Sequence, residues 1–301
     1  MLTVHNFSYG LVTPVLAYLM SCLGAFLGLR CTARAMATSR SERLRWLLLA
    51  ALSIGTTGIW VMHFIAMLGY TIPGQVIHYN VPLTIASMLI AVIVVGIGLL
   101  IVGFAKRTWR NLLLAGAFTG LGVASMHYTG MAAMRLSGTM TYNPELFGLS
   151  IVIAIVAATA ALWAALNLSG IRATLGAALI MGVAVSGMHY TGMAAMHLFR
   201  PGSGGMQMAG SGATAITFLL PLLIGISVLA FIMTATLALS PTDQELRADA
   251  ALQERIETMA AGPVAATLPA RSATEARWPG PAGSRATQAR RQAEARQPPH
   301  Q

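Results

Sequence analysis

Charge is what this chain lacks most. Only 9% of its 301 residues are Asp, Glu, Lys or Arg, against roughly 25% in soluble domains. With 56% hydrophobic residues, that scarcity excludes an ordinary water-soluble domain. Carboxylates are scarcer than bases, 9 against 19, and Glu42 and Glu145 each stand alone. No paired carboxylates and no phosphate-binding glycine loop are present, so enzymatic activity is not expected. No Asp, Glu, Lys or Arg falls in the middle of an apolar run. Such residues mark proton relays and ion paths, which argues against a proton-coupled transporter. The only two cysteines, Cys22 and Cys31, are nine residues apart. They form no CxxC pair and read as small buried apolar residues.

What the chain has instead is length without charge. Seven apolar runs stand at about 9–29, 46–69, 81–104, 112–134, 147–168, 174–197 and 214–239. About 20 residues span a bilayer core of roughly 30 Å. Backbone groups in lipid must bond internally, so all seven are predicted as helices despite their Val and Ile content. The +10 charge is no nucleic-acid signal, because it sits at the ends of the runs. Arg30, Arg34, Arg40, Arg43 and Arg45 follow the first run, Lys106, Arg107 and Arg110 the third, and Arg172 the fifth. Eight further arginines follow the seventh, while the other side has only Arg135 and Arg200. By the positive-inside rule the N-terminus is outside and the C-terminus cytoplasmic. With no basic n-region, the first run is expected to remain as an anchor.

The predicted fold is thus an all-α membrane protein of seven transmembrane helices, three helix-hairpin repeats plus a seventh helix. Residues 1–239 form the membrane domain. Ser240–Pro241 reads as a helix start, opening a short cytoplasmic amphipathic helix over 240–261. Residues 262–301, rich in Pro, Ala, Arg and Gln, are expected to be disordered.

Inside those runs one motif recurs. Met126–Met134 and Met188–Met196 both read M-H-Y-T-G-M-A-A-M, and Val61–Met67 is a looser copy, V-M-H-F-I-A-M. His63, His127 and His189 stand 64 and 62 residues apart. All three ride the second member of a hairpin, running from inside to outside, about 15 to 17 residues into the helix. At roughly 1.5 Å per residue, all sit about 22–26 Å up, in one outer-leaflet layer. Met67, Met131 and Met193, four residues on, share the histidine's face, and Met134 and Met196 extend the stripe. Met62, Met126 and Met188 flank it. Gly130 and Gly192 allow close helix approach. Tyr128 and Tyr190 are placed to fix an imidazole or a water, which Phe64 in the first copy cannot do. His197 and His78 are further imidazoles toward the outer side.

Imidazole with thioether is a soft ligand set that suits copper better than magnesium, calcium or manganese. Zinc is disfavoured without cysteine or carboxylate, and haem is the main competitor. A packing motif copied by gene duplication is the reading without any ligand. Copper handling or transport is a further alternative, with Met206 and Met208 as an outer capture pair.

At these residues the chain resembles the MHYT-domain family, bacterial integral-membrane sensors. The likeness covers about Val4–Leu239. The motif stands in full as Met126-His127-Tyr128-Thr129 and Met188-His189-Tyr190-Thr191, and degenerate as Met62-His63-Phe64-Ile65. The resemblance implies a sensor whose Met and His residues near the outer face bind copper, with a diatomic gas (oxygen, CO or NO) as signal. Many relatives carry cytoplasmic cyclic-di-GMP enzymes, histidine kinases or DNA-binding domains. No such domain follows here, so signalling through a cytoplasmic or membrane partner is expected.

Overall fold

The structure is a computed structural model that describes residues 4–168, 170–199, 212–239 and 243–260. It is mostly helical. In chain order α1 is Val12–Ala37, α2 Arg40–Leu68, α3 Val81–Phe104, α4 Trp109–Ala132, α5 Pro144–Asn167 and α6 Ile171–Ala195. Among the described residues these six are long and apolar enough to cross a membrane. The protein is therefore a multi-pass membrane protein. The seventh predicted run is helical too. It opens as a π-turn, Ala215–Leu219, and continues as α7, Leu220–Leu239. A separate unit after Ser240 holds α8, Asp243–Ala260. The tail predicted as disordered lies outside the described residues.

The six long helices close into a ring, each packed on its neighbours, with α6 returning to α1. At its centre α2, α4 and α6 touch one another. Large apolar side chains such as Leu89, Leu121, Val156 and Ile180 point outward and are exposed. A belt of that extent is a lipid-facing surface. The chain packs α7 against α1 and the middle of α2, where the Ser53 hydroxyl donates to Met233 Sδ at 3.9 Å.

The sequence reading missed a rim of short strands at the histidine end. His78–Tyr79 (β1) pairs with Met134–Arg135 (β2) and Ala213–Thr214 (β5), and Thr139–Tyr142 (β3) pairs with Met196–Phe199 (β4), all antiparallel. Their positions follow one rule. The segment before α3 pairs with the segment after α4, and the segment before α5 with the segment after α6. Likewise His5, before α1, bridges to Thr71, after α2. Three backbone bonds recur in register: Ser8 N–H to Gly69 carbonyl, Asn80 to Ala133 and Asn143 to Ala195, at 3.0, 2.8 and 2.8 Å. The asparagine side chains then cap the next helices. Asn80 Oδ1 accepts from Leu83 N–H, Asn143 Oδ1 accepts from the amides of Glu145 and Leu146, and each helix has a proline in its first turn. Those are the residues a helix start calls for.

Glycines set the helix spacing lower down. A Cβ on Gly55 would strike the α3 backbone at Val92, one on Gly120 the α5 backbone at Ile155, and one on Gly182 the Cys22 thiol of α1. From these glycines to His63, His127 and His189 are eight, seven and seven residues. The first spacing carries one residue too many. The structure absorbs it in a π-helical stretch, Ser53–Val61. A π-turn takes up an inserted residue and occurs often at functional sites, and here it lets Gly55 and His63 both keep their faces.

Candidate metal centre

The three predicted histidines come together. His63 on α2, His127 on α4 and His189 on α6 are each 1% exposed. His63 Nδ1 stands 3.0 Å from His189 Nδ1 and 3.1 Å from His127 Nδ1. The rings meet edge to face, with centroids 4.9 to 5.1 Å apart. Equal depth on three parallel rising helices brings this about.

This arrangement does not satisfy itself. A neutral imidazole has one N–H and one lone pair, and His63 Nδ1 faces two partners with a single function to offer. All three Nε2 atoms are buried without a partner. With the protons on Nε2, three lone pairs converge on one point, which a cation relieves. Metal–imidazole bonds run about 2.0–2.1 Å, so nitrogens at these separations lie within reach of a single ion. The cluster can hold a metal ion.

The backs of the imidazoles are fixed by neighbouring helices. A Cβ on Gly130 (α4) would lie 2.5 Å from His63 Nε2, and one on Gly192 (α6) would collide with His127 Nε2. The glycines foreseen as helix-packing residues are thus the walls behind two of the three rings. The residue after each histidine meets an aromatic ring of the next hairpin. Phe64 meets Tyr79, Tyr128 meets Tyr142, and Tyr190 meets Phe7, at 6.0, 5.4 and 5.6 Å. The partners Phe7, Tyr79 and Tyr142 were missed. The repeated Tyr-Asn of Tyr79-Asn80 and Tyr142-Asn143 is the signal that points to them.

The tyrosine hydroxyls do not reach the imidazoles. Tyr128 pairs with Ser150 Oγ at 2.6 Å, and the Tyr190 hydroxyl is buried without a partner. The geometry corrects that expectation: the rings stack edge-on beside the histidines at 4.9 Å, which carries the hydroxyls away. At the rim, burial pushes the Tyr70 phenol up to about 12, so it offers a neutral hydroxyl.

The methionines are all buried: Met62, Met126 and Met188, then Met67, Met131 and Met193. The imidazoles' hydrogen bonds among the described residues run only to one another. Met134 and Met196 do not continue a helical stripe. The helices stop at Ala132 and Ala195, and these two pair in strands with Tyr79 and Tyr142. His197 stands opposite Thr141 in a strand pair, and His78 Nδ1 lies 3.2 Å from the Val76 carbonyl. Neither joins the cluster. Cys22 and Cys31 are free and buried, as read. Met206 and Met208 lie outside the described residues.

Comparison with known proteins fits this geometry. The family model MHYT, described as a bacterial signalling protein N-terminal repeat, matches twice, at residues 57–115 and 120–178. The chain is 40% identical over 193 residues to the bifunctional diguanylate cyclase/cyclic di-GMP phosphodiesterase MucR of Pseudomonas aeruginosa, covering 62% of this chain and 28% of that protein. It is 37% identical over 214 residues to the cyclic di-GMP phosphodiesterase NbdA of the same organism, covering 69% and 27%. It is 30% identical over 201 residues to the signalling protein YkoW of Bacillus subtilis, covering 62% and 24%. The chain thus spans about a quarter of the length of the curated relatives it matches. No solved structure gives a significant match. With the repeat matched twice and its histidines gathered at one point, the chain belongs to the MHYT signalling proteins of bacterial membranes.

Proposed function

We propose that this protein is a copper-dependent sensor of a diatomic gas or of redox state, signalling inward across the bacterial inner membrane. The observation that carries this is the gathering of three buried imidazoles from three helices, with Nδ1 atoms 3.0 and 3.1 Å apart. His63, His127 and His189 hold the ion. Met67, Met131 and Met193, one turn further out on the same helices, supply thioethers, with Met62, Met126, Met188, Met134 and Met196 around them. Nitrogen with thioether and no carboxylate favours copper. Bound there, copper supplies an ion that changes oxidation state and takes a diatomic ligand. The chain's part is to hold three nitrogens rigidly, to exclude water by burial, and to couple three helices through one point. Haem fits poorly, because no macrocycle passes between nitrogens this close.

The architecture proposed is seven spans, three hairpins related by a threefold repeat plus α7, with the N-terminus outside. Three hairpin-closing pairings, three backbone bonds in register and a closed cycle of aromatic contacts support it. The basic residues at the opposite end from the histidines support the orientation. A change at the centre shifts α2, α4 and α6 against one another, and α7, packed on α2, carries it inward. The membrane domain is 1–239, followed by the helical segment 240–261 and the tail 262–301. The reader is a cytoplasmic or membrane signalling module.

Elemental analysis of purified protein tests the reading. Copper is expected in fixed proportion to the protein, and the triple alanine variant at His63, His127 and His189 is expected to lose it while still folded by circular dichroism. Unchanged copper in that variant refutes the site. A Soret band in protein from haem-replete cells would turn the assignment to haem.

A further inference from the structure

Just inward of the histidine layer lies a second feature that the metal reading does not use. A cavity of about 60 Å³ opens in the bundle interior, with lining from all six long helices. Ile59, Val123 and Val185 all line it, each four residues before a histidine. The cavity thus lies beneath the three imidazoles, about one helical turn (roughly 5.4 Å) away. Met188, which precedes His189, also lines it.

Its size and lining select the occupant. A water takes up about 30 Å³ in the liquid, and a cavity of about 150 Å³ takes benzene. At about 60 Å³ there is room for a two-atom molecule and none for a sugar, a lipid chain or an aromatic ring. A buried water wants about 2–4 polar partners. The lining has two hydroxyls, Ser21 and Thr119. Thr119 donates to the Val94 carbonyl and keeps its acceptor lone pairs, and Ser21 Oγ has no partner. Two hydroxyls are the fewest a buried water needs, and the rest of the wall is Ala, Val, Leu, Ile, Met and Gly, so an apolar guest is favoured. The lining also reaches the lipid side of α5 at Ala157 and Ala161, which are partly exposed. Small apolar gases concentrate in hydrocarbon, so this wall faces their supply.

We propose that this cavity is a docking site for a small apolar diatomic molecule, held beneath the histidine layer and supplied from the membrane interior. Its link to the centre rests on the sensor reading above; its occupancy does not. The site admits guests by size and polarity, with Ile59, Val123 and Val185 standing between guest and imidazoles.

Xenon, an apolar probe of similar size, tests the site in metal-free protein in nanodiscs. Saturation-transfer xenon NMR should give a saturable bound signal distinct from xenon in lipid. Ala158→Leu, which fills the cavity from α5, should abolish it. Leu162→Ala, which enlarges the same space, should strengthen it at sub-saturating pressure. Oxygen should broaden alanine-methyl resonances of Ala154 and Ala158 in the wild type far more than those of exposed helix positions. A bound signal absent from wild type, or the same in all three proteins, overturns the proposal. Copper content of parallel preparations decides the sensor reading separately, since no arm of this experiment needs the metal.

Discussion

Replacing Gly130 by alanine adds one carbon directly behind His63. The new Cβ would lie 2.5 Å from His63 Nε2, 3.0 Å from Cδ2 and 3.4 Å from Phe64 Cζ. Ordinary contact begins near 3.4 Å, so the ring must yield by about 0.9 Å, the difference of 3.4 and 2.5. It has nowhere to go, because its other edge faces two Nδ1 atoms at 3.0 and 3.1 Å. Either α2 and α4 separate or the imidazole slides off the centre. Overpacking of this kind costs about 1–3 kcal/mol. Alanine's helix preference returns at most about 1 kcal/mol. Gly187→Ala is the control: its Cβ meets nothing within 4 Å, so only the helix preference acts and the variant should be neutral or stabilised. Thermal unfolding in detergent should therefore place Gly130→Ala below Gly187→Ala. Competition titration with a Cu(I) chelator should show copper affinity about 10–100-fold weaker, the usual effect of disturbing what orients a ligand. Gly192→Ala should behave alike through His127. If Gly130→Ala melts with Gly187→Ala and binds copper as wild type does, the α4 backbone does not position His63, and the account of the site's rigidity fails.

Three more expectations follow from the same contacts. Tyr128→Phe removes the 2.6 Å bond to Ser150 and should cost about 0.5–1.5 kcal/mol. Tyr190→Phe removes a buried hydroxyl with no partner and should be neutral or stabilising, and neither should change copper content; equal melting of the two would contradict the assignment. Trp60 donates its indole N–H to the Thr84 carbonyl and Ser87 Oγ, at 3.2 and 3.0 Å, so Trp60→Phe should lower stability by about 1–3 kcal/mol, read in the same melt. Deleting Thr57 removes the residue that the π-stretch Ser53–Val61 accommodates and restores the seven-residue spacing of the other two copies. The deletion should fold and keep its copper, whereas deletion of Ala124, in the α-helical Gly120–His127 interval, should abolish binding.

That contrast between the copies also marks how far the sequence could be read. Apolar runs and arginine placement are local properties, and they located most helix ends to within three residues, though α1 runs eight residues past its expected end and α2 begins six residues before its expected start. Identical direction and similar depth then implied that His63, His127 and His189 share a layer, and the Nδ1 contacts are what such a layer produces. The rotational setting of each helix was out of reach. It decides which imidazole nitrogen faces inward, and it depends on glycine contacts between segments some 35 residues apart, such as Gly55 with Val92 and Gly120 with Ile155. The extra residue before His63 shows as a glycine-to-histidine interval of eight against seven and seven, yet an interval does not say whether a loop or a helix absorbs it. The strands were hidden for another reason. Pairs of two residues, such as His78–Tyr79 with Met134–Arg135, carry no periodicity, and only the closure of each hairpin creates them. That closure bears on the centre itself. Ala133 and Ala195, two residues past Met131 and Met193, accept the Asn80 and Asn143 amides, so the ends of the histidine helices are tied at the rim. With the outer ends held, a change at the centre is passed on through the inner ends of α2, α4 and α6, where Arg43 of α2 donates to the Ala35 carbonyl of α1 and the Gly103 carbonyl of α3.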